Sequence, residues 1–521
     1  MPVKREVMRV VTGELDPAGA GSPGPGRRRR PAAGPRTWLR AVAGLPRLRR
    51  HGWFLAVLAA GTALRVLTML GYRPALWFPD SYTYIVTVFR PRPDLVRPAG
   101  YSAFLKLLEP FHSFAVVTAV QHLLGLATGV LIYWAARRAP RWAATLATVP
   151  VLLDAYQIEV EHLLVSDTLF MFLVVAAVTL SLAGRRSAVA IGLLLAAATL
   201  TRTVGQPLIV VLAGWFVLRG RVGGRVGGRV GERVGGRVGG RIRFAGVLLA
   251  AALVPVLAYG AWFYATYQRV GLVGANGAFL YARTMSFADC AKMNPPPELR
   301  VLCDPRSAEQ RPPSQEYLWA KDSPLVALPG ITFAKETDGL AGRFAALAIR
   351  SQPLDYAGSV LTELGRTFVW GRPVYPDQEI YGYYEFPSAS PPPPGRWAAR
   401  LGVEMGRRYE EGPIGTEVAE PYAGWMRGYQ DVAHLPGAAL LVILLVPPVV
   451  TIVRRRRVAG RPGERAGGWR VAGPPGWLLP WSTAVVLLVV PPAVAEFDYR
   501  YVLPAVPLAC LAAALCGSRE P

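Results

Sequence analysis

Charged residues are scarce in this sequence: Asp, Glu, Lys and Arg make up 18% of its 521 residues, where about 25% is usual in soluble domains. Cysteine is scarcer still, and four residues exclude a small secreted scaffold held by many disulfides. No Walker or Rossmann glycine pattern is present, so the sequence offers no phosphate loop for a nucleotide. Hydrophobic residues make up 52% of the chain, which excludes global disorder and favours a protein built in lipid.

Long apolar stretches recur along the chain. A bilayer core needs about 20 mainly apolar residues per helix, or somewhat fewer where protein shields the span. Ten candidate spans cover residues 53–70, 113–135, 142–156, 163–183, 187–201, 205–218, 244–266, 436–453, 477–494 and 499–516. The third, fifth and sixth are short. The sequence therefore predicts an all-α polytopic membrane protein with about ten transmembrane helices.

Arginine clusters sort the connections between spans into two sides. Cytoplasmic loops hold the excess of Lys and Arg, and here the clusters occupy the leader and every second connection. They are Arg27–Arg30 with Arg47, Arg49 and Arg50, then Arg137, Arg138 and Arg141, then Arg185 and Arg186, then Arg219 to Arg243, and finally Arg454–Arg457. We therefore expect a multi-pass protein of the cell membrane with both termini in the cytoplasm. The net charge of +24 reports this topology, and a nucleic-acid-binding surface is a poor explanation of it.

The topology divides the chain into five parts. They are a basic, disordered cytoplasmic leader (1–52), spans one to seven (53–266), an extracytoplasmic domain (267–435), spans eight to ten (436–516) and a cytoplasmic tail (517–521). Within the second part lie a first outer loop (71–112) and a cytoplasmic loop (219–243) that repeats R-V-G-G. Glycine at half of the repeat positions predicts a flexible loop. This loop is either held near anionic lipid headgroups or a repeat expansion without function.

The inserted domain at 267–435 holds Cys290 and Cys303, in a compartment where disulfides persist, so we expect these two to pair. Apolar residues at helical spacing on either side of Pro353 predict two short amphipathic helices. Their apolar side chains, expected to rest on the headgroup layer or on the spans, are Phe344, Leu347, Leu361 and Phe368. The domain is thus predicted to be mainly helical, with irregular segments.

Acidic residues beside the spans are candidates for chemistry, because charge at the membrane is costly and usually has a reason. Asp80, in W-F-P-D-S-Y, follows span one and is either a general base or a turn residue at a helix start, where Asp80 or Ser81 is the cap. Asp167 falls one turn inside span four. Glu161 and His162 could hold a divalent metal, but adjacent residues point to different helix faces and no HExxH or DxD spacing accompanies them. We therefore expect no metal and no other cofactor.

Two arginines belong to the same outer side. Arg202, in T-L-T-R-T, opposes the positive-inside bias, so an anionic partner is expected. Arg500, in E-F-D-Y-R-Y, opens the last span, either within a site or as a snorkelling residue paired with Asp498. The topology gathers at this interface Asp80, Arg97, Glu161, Asp167, Arg202 and Arg500. Guanidinium groups bind phosphate and stabilise it as a leaving group, and a carboxylate takes a proton from a hydroxyl, so the set fits a phosphate-bearing lipid substrate.

The order of these motifs resembles the GT-C superfamily of polytopic glycosyltransferases, specifically the protein O-mannosyltransferase-like group and the phospholipid-carrier-dependent enzymes of actinobacterial type. The matching segments, in order over residues 53–516, are F-P-D-S-Y at Asp80, R-P-A-G-Y-S-A-F-L from Arg97, V-S-D-T-L at Asp167, T-R-T at Arg202, I-R-S-Q-P-L-D-Y in the outer domain and R-Y-V-L-P-A-V-P from Arg500. The closing motif and the Asp80 loop are the most specific of these.

This resemblance implies a GT-C-like bundle that transfers a sugar, a hexose, from a polyprenyl-phosphate donor to an acceptor at the outer face. By the same likeness Asp80 is the catalytic carboxylate, which activates the acceptor for attack on the anomeric carbon. The residues implied in substrate and phosphate binding are Arg97, Tyr101, Glu161, Asp167, Arg202, Tyr499 and Arg500. The chain departs from the family pattern at Ser81, where a glutamate or an Asp-Glu pair is usual, and at Asp167, where glutamate is common.

Two other functions stay open on the sequence alone. A transporter or flippase of lipid-linked saccharides would place charge at the middle of the membrane and often show inverted repeats, which this sequence lacks. A degenerate member of the family would bind glycolipid or a partner protein through residues 267–435 without turnover. In each case the expected partners are a polyprenyl-phosphate sugar, membrane lipids and an acceptor of unknown kind, and not nucleic acid.

Overall fold

The computed structural model describes residues 50–183, 187–218, 230–393, 397–459 and 474–517. The chain divides into two units, residues 1–51 and 52–521, and the second carries the elements described below. The predicted leader up to residue 49, the R-V-G-G repeats up to residue 229 and the last four residues of the predicted tail lie outside the described residues.

The first half of the second unit is helical apart from one short strand. Its elements are α1 (Gly52–Gly71), β1 (Tyr72–Arg73), α2 (Pro79–Phe89), α3 (Gly100–Leu108), α4 (Phe114–Ala135), α5 (Arg141–Leu146), α6 (Val149–Leu153), α7 (Ala155–His162), α8 (Asp167–Leu182), α9 (Ala188–Thr201), α10 (Gln206–Leu218) and α11 (Val230–Tyr267).

The second half adds shorter helices before returning to long ones. Its elements are α12 (Asn276–Thr284), α13 (Cys290–Met293), α14 (Pro297–Arg300), α15 (Glu316–Trp319), α16 (Lys335–Ser351), α17 (Pro353–Arg366), α18 (Gln378–Gly382), α19 (Trp397–Glu410), β2 (Glu417–Val418), α20 (Tyr422–Gln430), α21 (Gly437–Ala459), α22 (Leu478–Val494), α23 (Tyr499–Val502) and α24 (Val506–Cys516). Short 3-10 turns cover Glu109–Phe111, Thr203–Gly205, Ala308–Gln310 and Leu503–Ala505.

Helices occupy all ten predicted spans, which confirms an all-α polytopic architecture. Five are long and apolar enough to cross a membrane on their own: α1, α4, the 28 residues Gly240–Tyr267 of α11, the first part of α21, and the run Tyr499–Cys516. The other five apolar segments are shorter, between 10 and 17 residues. One of these, α8, is mostly buried among its neighbours, and protein shielding is what allows a short helix to stand in a membrane.

The third predicted span is interrupted. Two short helices, α5 and α6, replace the continuous helix expected over 142–156. Pro150 lies in the first turn of α6, where its missing N–H would have had no partner inside the helix. The chain therefore restarts a helix at this proline and turns into α7, the helix that carries Glu161 and His162.

The R-V-G-G loop is the largest difference from the sequence prediction. We expected a flexible loop up to residue 243, but α11 begins at Val230 and continues without a break into span seven. Glycine costs a helix about 1 kcal/mol per residue relative to alanine. A helix that an apolar span has already nucleated can extend by one hydrogen bond per residue, even through glycines that each cost about 1 kcal/mol. Helix propensities of the isolated repeat do not include this extension.

Two backbone pairings hold the first outer loop against the rest of the protein. Tyr72 and Arg73 of β1 pair antiparallel with Val418 and Glu417 of β2. A few residues later the Leu76 N–H donates to the His162 carbonyl and the Leu164 N–H donates to the Leu76 carbonyl, both over 3.1 Å. The loop that follows α1 is thus fixed from two sides just before it reaches Asp80.

The domain inserted between α11 and α21 is mainly helical, as expected, and Cys290 and Cys303 form a disulfide in it. Helices α16 and α17 lie on either side of Gln352, close to the predicted break at Pro353. Phe344 of α16 is fully buried in the core of this domain. Leu361 of α17 is 66% exposed, so protein does not cover it, contrary to one of the two placements we expected.

A buried arginine attaches this domain to the C-terminal end of α22. Arg283 of α12 is fully buried, and its Nε donates to the Pro492 carbonyl over 2.6 Å while Nη2 donates to Ser359 Oγ over 2.9 Å. The Tyr356 hydroxyl donates to the next carbonyl of α22, that of Ala493. The last carbonyls of a helix have no partner within it, so the domain satisfies free backbone acceptors at the end of α22.

Candidate active site

Asp80 lies in the first turn of α2, immediately after the fixed part of the outer loop. Ser81, the residue that departs from the family pattern, closes this helix start: its Oγ accepts from the Phe78 N–H over 2.9 Å and donates to the Leu164 carbonyl over 2.8 Å. Because Ser81 makes the capping contact, the Asp80 carboxylate is free for other partners. The predicted helix start is therefore present, and of its two candidate caps Ser81 makes the contact while Asp80 does not.

The Asp80 carboxylate lies between two guanidinium groups. Arg97 Nη2 donates to Oδ1, and Arg500 Nη2 donates to Oδ2 over 3.0 Å. Burial alone would raise the pKa of the Asp80 carboxyl, but the charges and hydrogen bonds of Arg97 and Arg500 outweigh burial and hold that pKa well below its usual range. Asp80 is thus ionised at neutral pH.

Arg500 extends this arrangement to a second carboxylate. Its Nη1 lies 3.9 Å from Asp167 Oδ2, and its Nε donates to Asp498 over 3.2 Å. Asp167 also accepts from Arg202, the anionic partner that the sequence predicted for this arginine. The result is one continuous chain of alternating charge, from Arg97 through Asp80, Arg500 and Asp167 to Arg202. Arg500 is paired with Asp498, as the alternative of a snorkelling arginine predicts, but it also bridges the carboxylates of Asp80 and Asp167.

Aromatic rings hold the two bridging arginines in place. The Arg500 Cζ lies 4.3 Å from the centre of the Phe78 ring, and the Arg202 Cζ lies 4.7 Å from that of Tyr501. Cations over ring faces gain about 0.5–2 kcal/mol, more where water is excluded. Both guanidinium groups are therefore oriented before any substrate arrives.

These residues line a cavity of about 720 Å³. Its polar wall carries Asp80, Arg97, Arg202 and Arg500, whereas Asp167 stands behind this wall and acts through the two arginines that it contacts. An apolar wall is formed by Leu487, Val490 and Val494 of α22 together with Phe170, Val204 and Pro207. The inserted domain also lines the cavity with acidic and polar side chains, among them Glu316, Asp377 and Glu379.

Besides Asp167, three residues that the resemblance placed at the substrate lie outside this cavity. Tyr101 is buried in an apolar cluster and donates its hydroxyl hydrogen to Gln121 over 2.6 Å. Tyr499 donates to the Pro373 carbonyl over 2.7 Å and borders a different, smaller cavity. For Tyr101 the aromatic ring serves packing of α3 on its neighbours, and the hydroxyl has no free hydrogen to offer a ligand.

Glu161 is the third of these, and its surroundings explain its position. Arg65 of α1 donates to both of its oxygens over 2.7 Å, and His122 and Gln157 complete the contacts over 3.1 Å. Both Glu161 and Arg65 are almost fully buried. This ion pair inside the bundle joins α1 to α7 and leaves no oxygen of Glu161 for substrate.

Arg65 was missed by the sequence reasoning although it carried a usable signal. It is a lone arginine in the middle of an apolar span, and charged residues in such positions almost always have a partner inside the protein. The acidic residues Glu316 and Asp377 of the inserted domain also line the cavity, but they gave no comparable signal, because they lie at the starts of very short helices in a stretch of mixed charge.

Glu161 and His162, which we considered as metal ligands and did not favour, both contact protein groups. His162 Nδ1 lies 3.1 Å from His122 Nε2, and its Nε2 lies 2.5 Å from the Tyr72 carbonyl oxygen. Glu161 on its other side is held by Arg65. Among the residues the structure describes, no group of three His, Cys, Asp or Glu side chains is arranged to hold a metal ion. In this position His162 links α4 and α7 to the beginning of the outer loop.

No family model matches the chain, and no curated protein matches it in sequence. Among solved structures, it is similar to the S. cerevisiae protein O-mannosyltransferase Pmt1–Pmt2 complex bound to the sugar donor, with 14% identity over 46% of this chain and 36% of that chain and a TM-score of 0.30. It is also similar to the Archaeoglobus fulgidus oligosaccharyltransferase in the apo form, with 11% identity over 89% of this chain and 50% of that chain and a TM-score of 0.40.

The same archaeal oligosaccharyltransferase tethered with an acceptor peptide gives 11% identity over 89% of this chain and 49% of that chain, with a TM-score of 0.39. The chain thus spans about half the length of the archaeal chains that it matches, and the match to the yeast chain spans about a third of that chain. Similarity of fold does not by itself imply a shared function, so the function of this chain rests on the residues of its site.

Proposed function

We propose that this protein is an integral membrane glycosyltransferase of the GT-C type, which transfers a sugar from a polyprenyl-phosphate donor to an acceptor at the outer face of the membrane. The observation that carries the proposal is the position of Asp80, ionised between Arg97 and Arg500 on the wall of a cavity that has one charged and one apolar side. Each part of that arrangement has a role in the reaction.

The donor phosphate binds to Arg500 and Arg202. A phosphate offers several oxygens to the planar guanidinium fork, and Arg500 and Arg202 face the same cavity at one end. Both arginines already share Asp167 as a partner behind them. That carboxylate keeps the two groups aimed at one point, so the phosphate meets a preorganised pair.

The apolar wall receives the first isoprene units of the donor lipid. Leu487, Val490 and Val494 recur at three- and four-residue spacing on one face of α22, next to the arginine end of the cavity. Burial of hydrocarbon contributes roughly 0.8 kcal/mol per CH₂ group. A few isoprene units on this face therefore contribute a substantial part of donor binding and place the phosphate at the guanidinium groups.

Asp80 acts as the general base for the acceptor. Its two arginine partners keep its pKa low in the free protein, which makes it a weak base. Donor phosphate competes for Arg500, and loss of that charge leaves the desolvation of the buried carboxylate less opposed, so its pKa rises. In the transfer step the acceptor oxygen bonds to the anomeric carbon, its proton passes to Asp80, and the bond from that carbon to the phosphate oxygen breaks, leaving polyprenyl phosphate at the arginines.

Membranes that contain the protein and a polyprenyl-phosphate sugar provide the direct test, with release of polyprenyl phosphate as the readout. Asp80→Asn should lower transfer by about 100-fold or more, which is the scale of general-base catalysis, while expression is unchanged. The matched control is Asp322→Asn, an exposed aspartate of the outer domain, which should leave transfer unchanged.

Two results would count against this function. Full transfer by Asp80→Asn would remove Asp80 from the reaction. Donor binding without release of polyprenyl phosphate, with every sugar tried in the wild-type protein, would favour a binding protein or a transporter in place of an enzyme.

A further inference from the structure

A second cavity, smaller than the Asp80 cavity, is also lined by Arg500. It has a volume of about 60 Å³ and is lined by residues of α7, α21, the segment after α17, and the last span. One water molecule needs about 10–15 Å³ of such space, so the cavity has room for a group of roughly four to six heavy atoms. Arg500 borders both cavities.

Arg372 is the feature that makes this cavity unusual. Its Cζ lies 3.2 Å from the ring centre of Tyr156 and 4.4 Å from that of Tyr499. Its Nη1 is buried and makes no hydrogen bond, and within the described part of the chain no carboxylate lies at ion-pair distance from it. Leaving such a donor buried and unpaired costs about 1–3 kcal/mol, or more for a charged group, so an anionic ligand would satisfy it.

Other donors of the cavity point to the same chemistry. Tyr384 is 1% exposed, and its hydroxyl makes no hydrogen bond of normal length and angle. The buried Nδ1 of His434 is likewise without a hydrogen bond. Gly437, in the first turn of α21, also borders the cavity, and the first turn of a helix presents partial positive charge and backbone N–H groups that favour anions.

The acidic group that borders the cavity is already engaged. Asp154 Oδ1 accepts from the N–H groups of Tyr156 and Gln157, and its Oδ2 accepts from the N–H of Leu435. Arg366, a further cation of the lining, is paired with Glu363 over 3.0 Å. Among the described residues, Arg372 is therefore a cation of this cavity with ring contacts but no ion pair, and the carboxylates of Asp154 and Glu159 act on its charge only at longer range.

We propose that the Arg372 cavity is a second anion-binding site, separate from the Asp80 cavity, and that it takes a phosphate group. The phosphate belongs either to a lipid headgroup or to free inorganic phosphate. This site does not depend on glycosyl transfer, because its occupancy is measured without sugar donor or turnover.

Calorimetric titration of the full-length protein in nanodiscs, with inorganic phosphate in one arm and farnesyl phosphate in the other, tests this. Arg372→Gln should weaken binding at this site by roughly 10- to 150-fold, the scale of a hydrogen bond to a charged group. If phosphate also binds at the Asp80 cavity, the wild-type protein binds two equivalents and the variant binds one. A change with farnesyl phosphate alone assigns the site to a lipid headgroup, and a change with inorganic phosphate assigns it to the free ion.

Tyr384→Phe and Arg343→Gln complete the design. Tyr384→Phe removes a hydroxyl that makes no hydrogen bond of normal length and angle, although Asp498 lies near it, so the fold should be retained. Phosphate binding should weaken about 3- to 10-fold. Arg343→Gln changes an exposed arginine and should bind as the wild type does. The proposal is overturned if both Arg372→Gln and Tyr384→Phe bind the two probes with wild-type affinity and stoichiometry, whatever the outcome for glycosyl transfer.

Discussion

Arg500 Nη2 donates to Asp80 Oδ2 over 3.0 Å, although 420 positions separate the two residues in the chain. Asp80 follows the first span and Arg500 opens the last, so this contact joins the beginning and the end of the bundle. The same guanidinium reaches towards Asp167 with its other terminal nitrogen, at 3.9 Å. Arg500 is thus the residue through which both carboxylates and both cavities are connected.

Replacing Arg500 should affect transfer according to what the new side chain can still do. Arg500→Gln removes the charge opposite the leaving phosphate, and we expect a loss of about 10²- to 10³-fold in kcat, the scale measured when one transition-state donor is removed. Arg500→Lys keeps the charge but cannot contact two groups with a planar fork, so its loss should be smaller but clear. Release of polyprenyl phosphate in membranes measures both.

The control for this series is Arg343→Gln, on an exposed face of α16, which should transfer at the wild-type rate. Equal activity of Arg500→Lys and the wild type would show that a point charge suffices and that the bridging geometry has no role.

The low pKa of Asp80 predicts a pH-dependent contribution to stability. Arg97 and Arg500 lower this pKa in the folded protein, whereas the pKa of an aspartate in the unfolded chain is about 3.9. A depressed pKa stabilises the folded state above the unfolded value, and the contribution is lost as pH falls through the folded value. The difference in melting temperature between the wild type and Asp80→Asn should therefore be largest near pH 7 and shrink below about pH 4.

Thermal unfolding of the purified protein in detergent across this range gives the comparison, with Asp322→Asn as the exposed aspartate. That control should show no such trend. A gap between the wild type and Asp80→Asn that stays constant or widens as pH falls would contradict the pairing of Asp80 with the two arginines.

The meeting of Asp80, Arg97, Asp167, Arg202 and Arg500 was predictable because topology constrains it. Loops that follow alternate spans emerge at the same end of a helical bundle, so residues far apart in the chain share an interface once the spans are known. The resemblance in motif order then reduced the candidate site residues at that end to a few side chains. This reasoning predicted that these residues share one end of the helical bundle. It did not predict which side chains contact each other.

The rest depended on packing that the sequence does not encode locally. Glu161 belongs to the correct end, but the turn from α6 into α7 directs its side chain inward to Arg65 instead of towards the cavity. Arg372 gave no signal either, since it lies between a tryptophan-glycine pair and a proline in an irregular segment. Its role becomes visible only where Tyr156 and Tyr499, from two distant helices, close on it.

The disulfide supports the outer domain. Cys290 and Cys303 enclose a loop with a sequence separation of 13, and closing a loop of about this size in the unfolded chain contributes roughly 3 kcal/mol in the chain-entropy model. Cys290→Ser and Cys303→Ser should each lower the melting temperature in detergent, and by the same amount. The double variant should match the single variants, because all three lack the same bond; a further drop in the double variant would mean that the thiols contribute separately.

The Glu161–Arg65 pair should prove structural. Glu161→Gln leaves the Arg65 guanidinium, which is 2% exposed, without its charge partner, and breaking a buried pair from one side costs about 3–5 kcal/mol. Replacing both residues with methionine should recover part of this loss, because no unpaired charge is then left inside the bundle. Glu420→Gln, in the more exposed pair with Arg427, is the control and should change the melting temperature little. If Glu161 instead contacted the substrate, Glu161→Gln would leave the melting temperature unchanged and raise the KM for the donor. The KM is measured by release of polyprenyl phosphate from membranes that contain the variant.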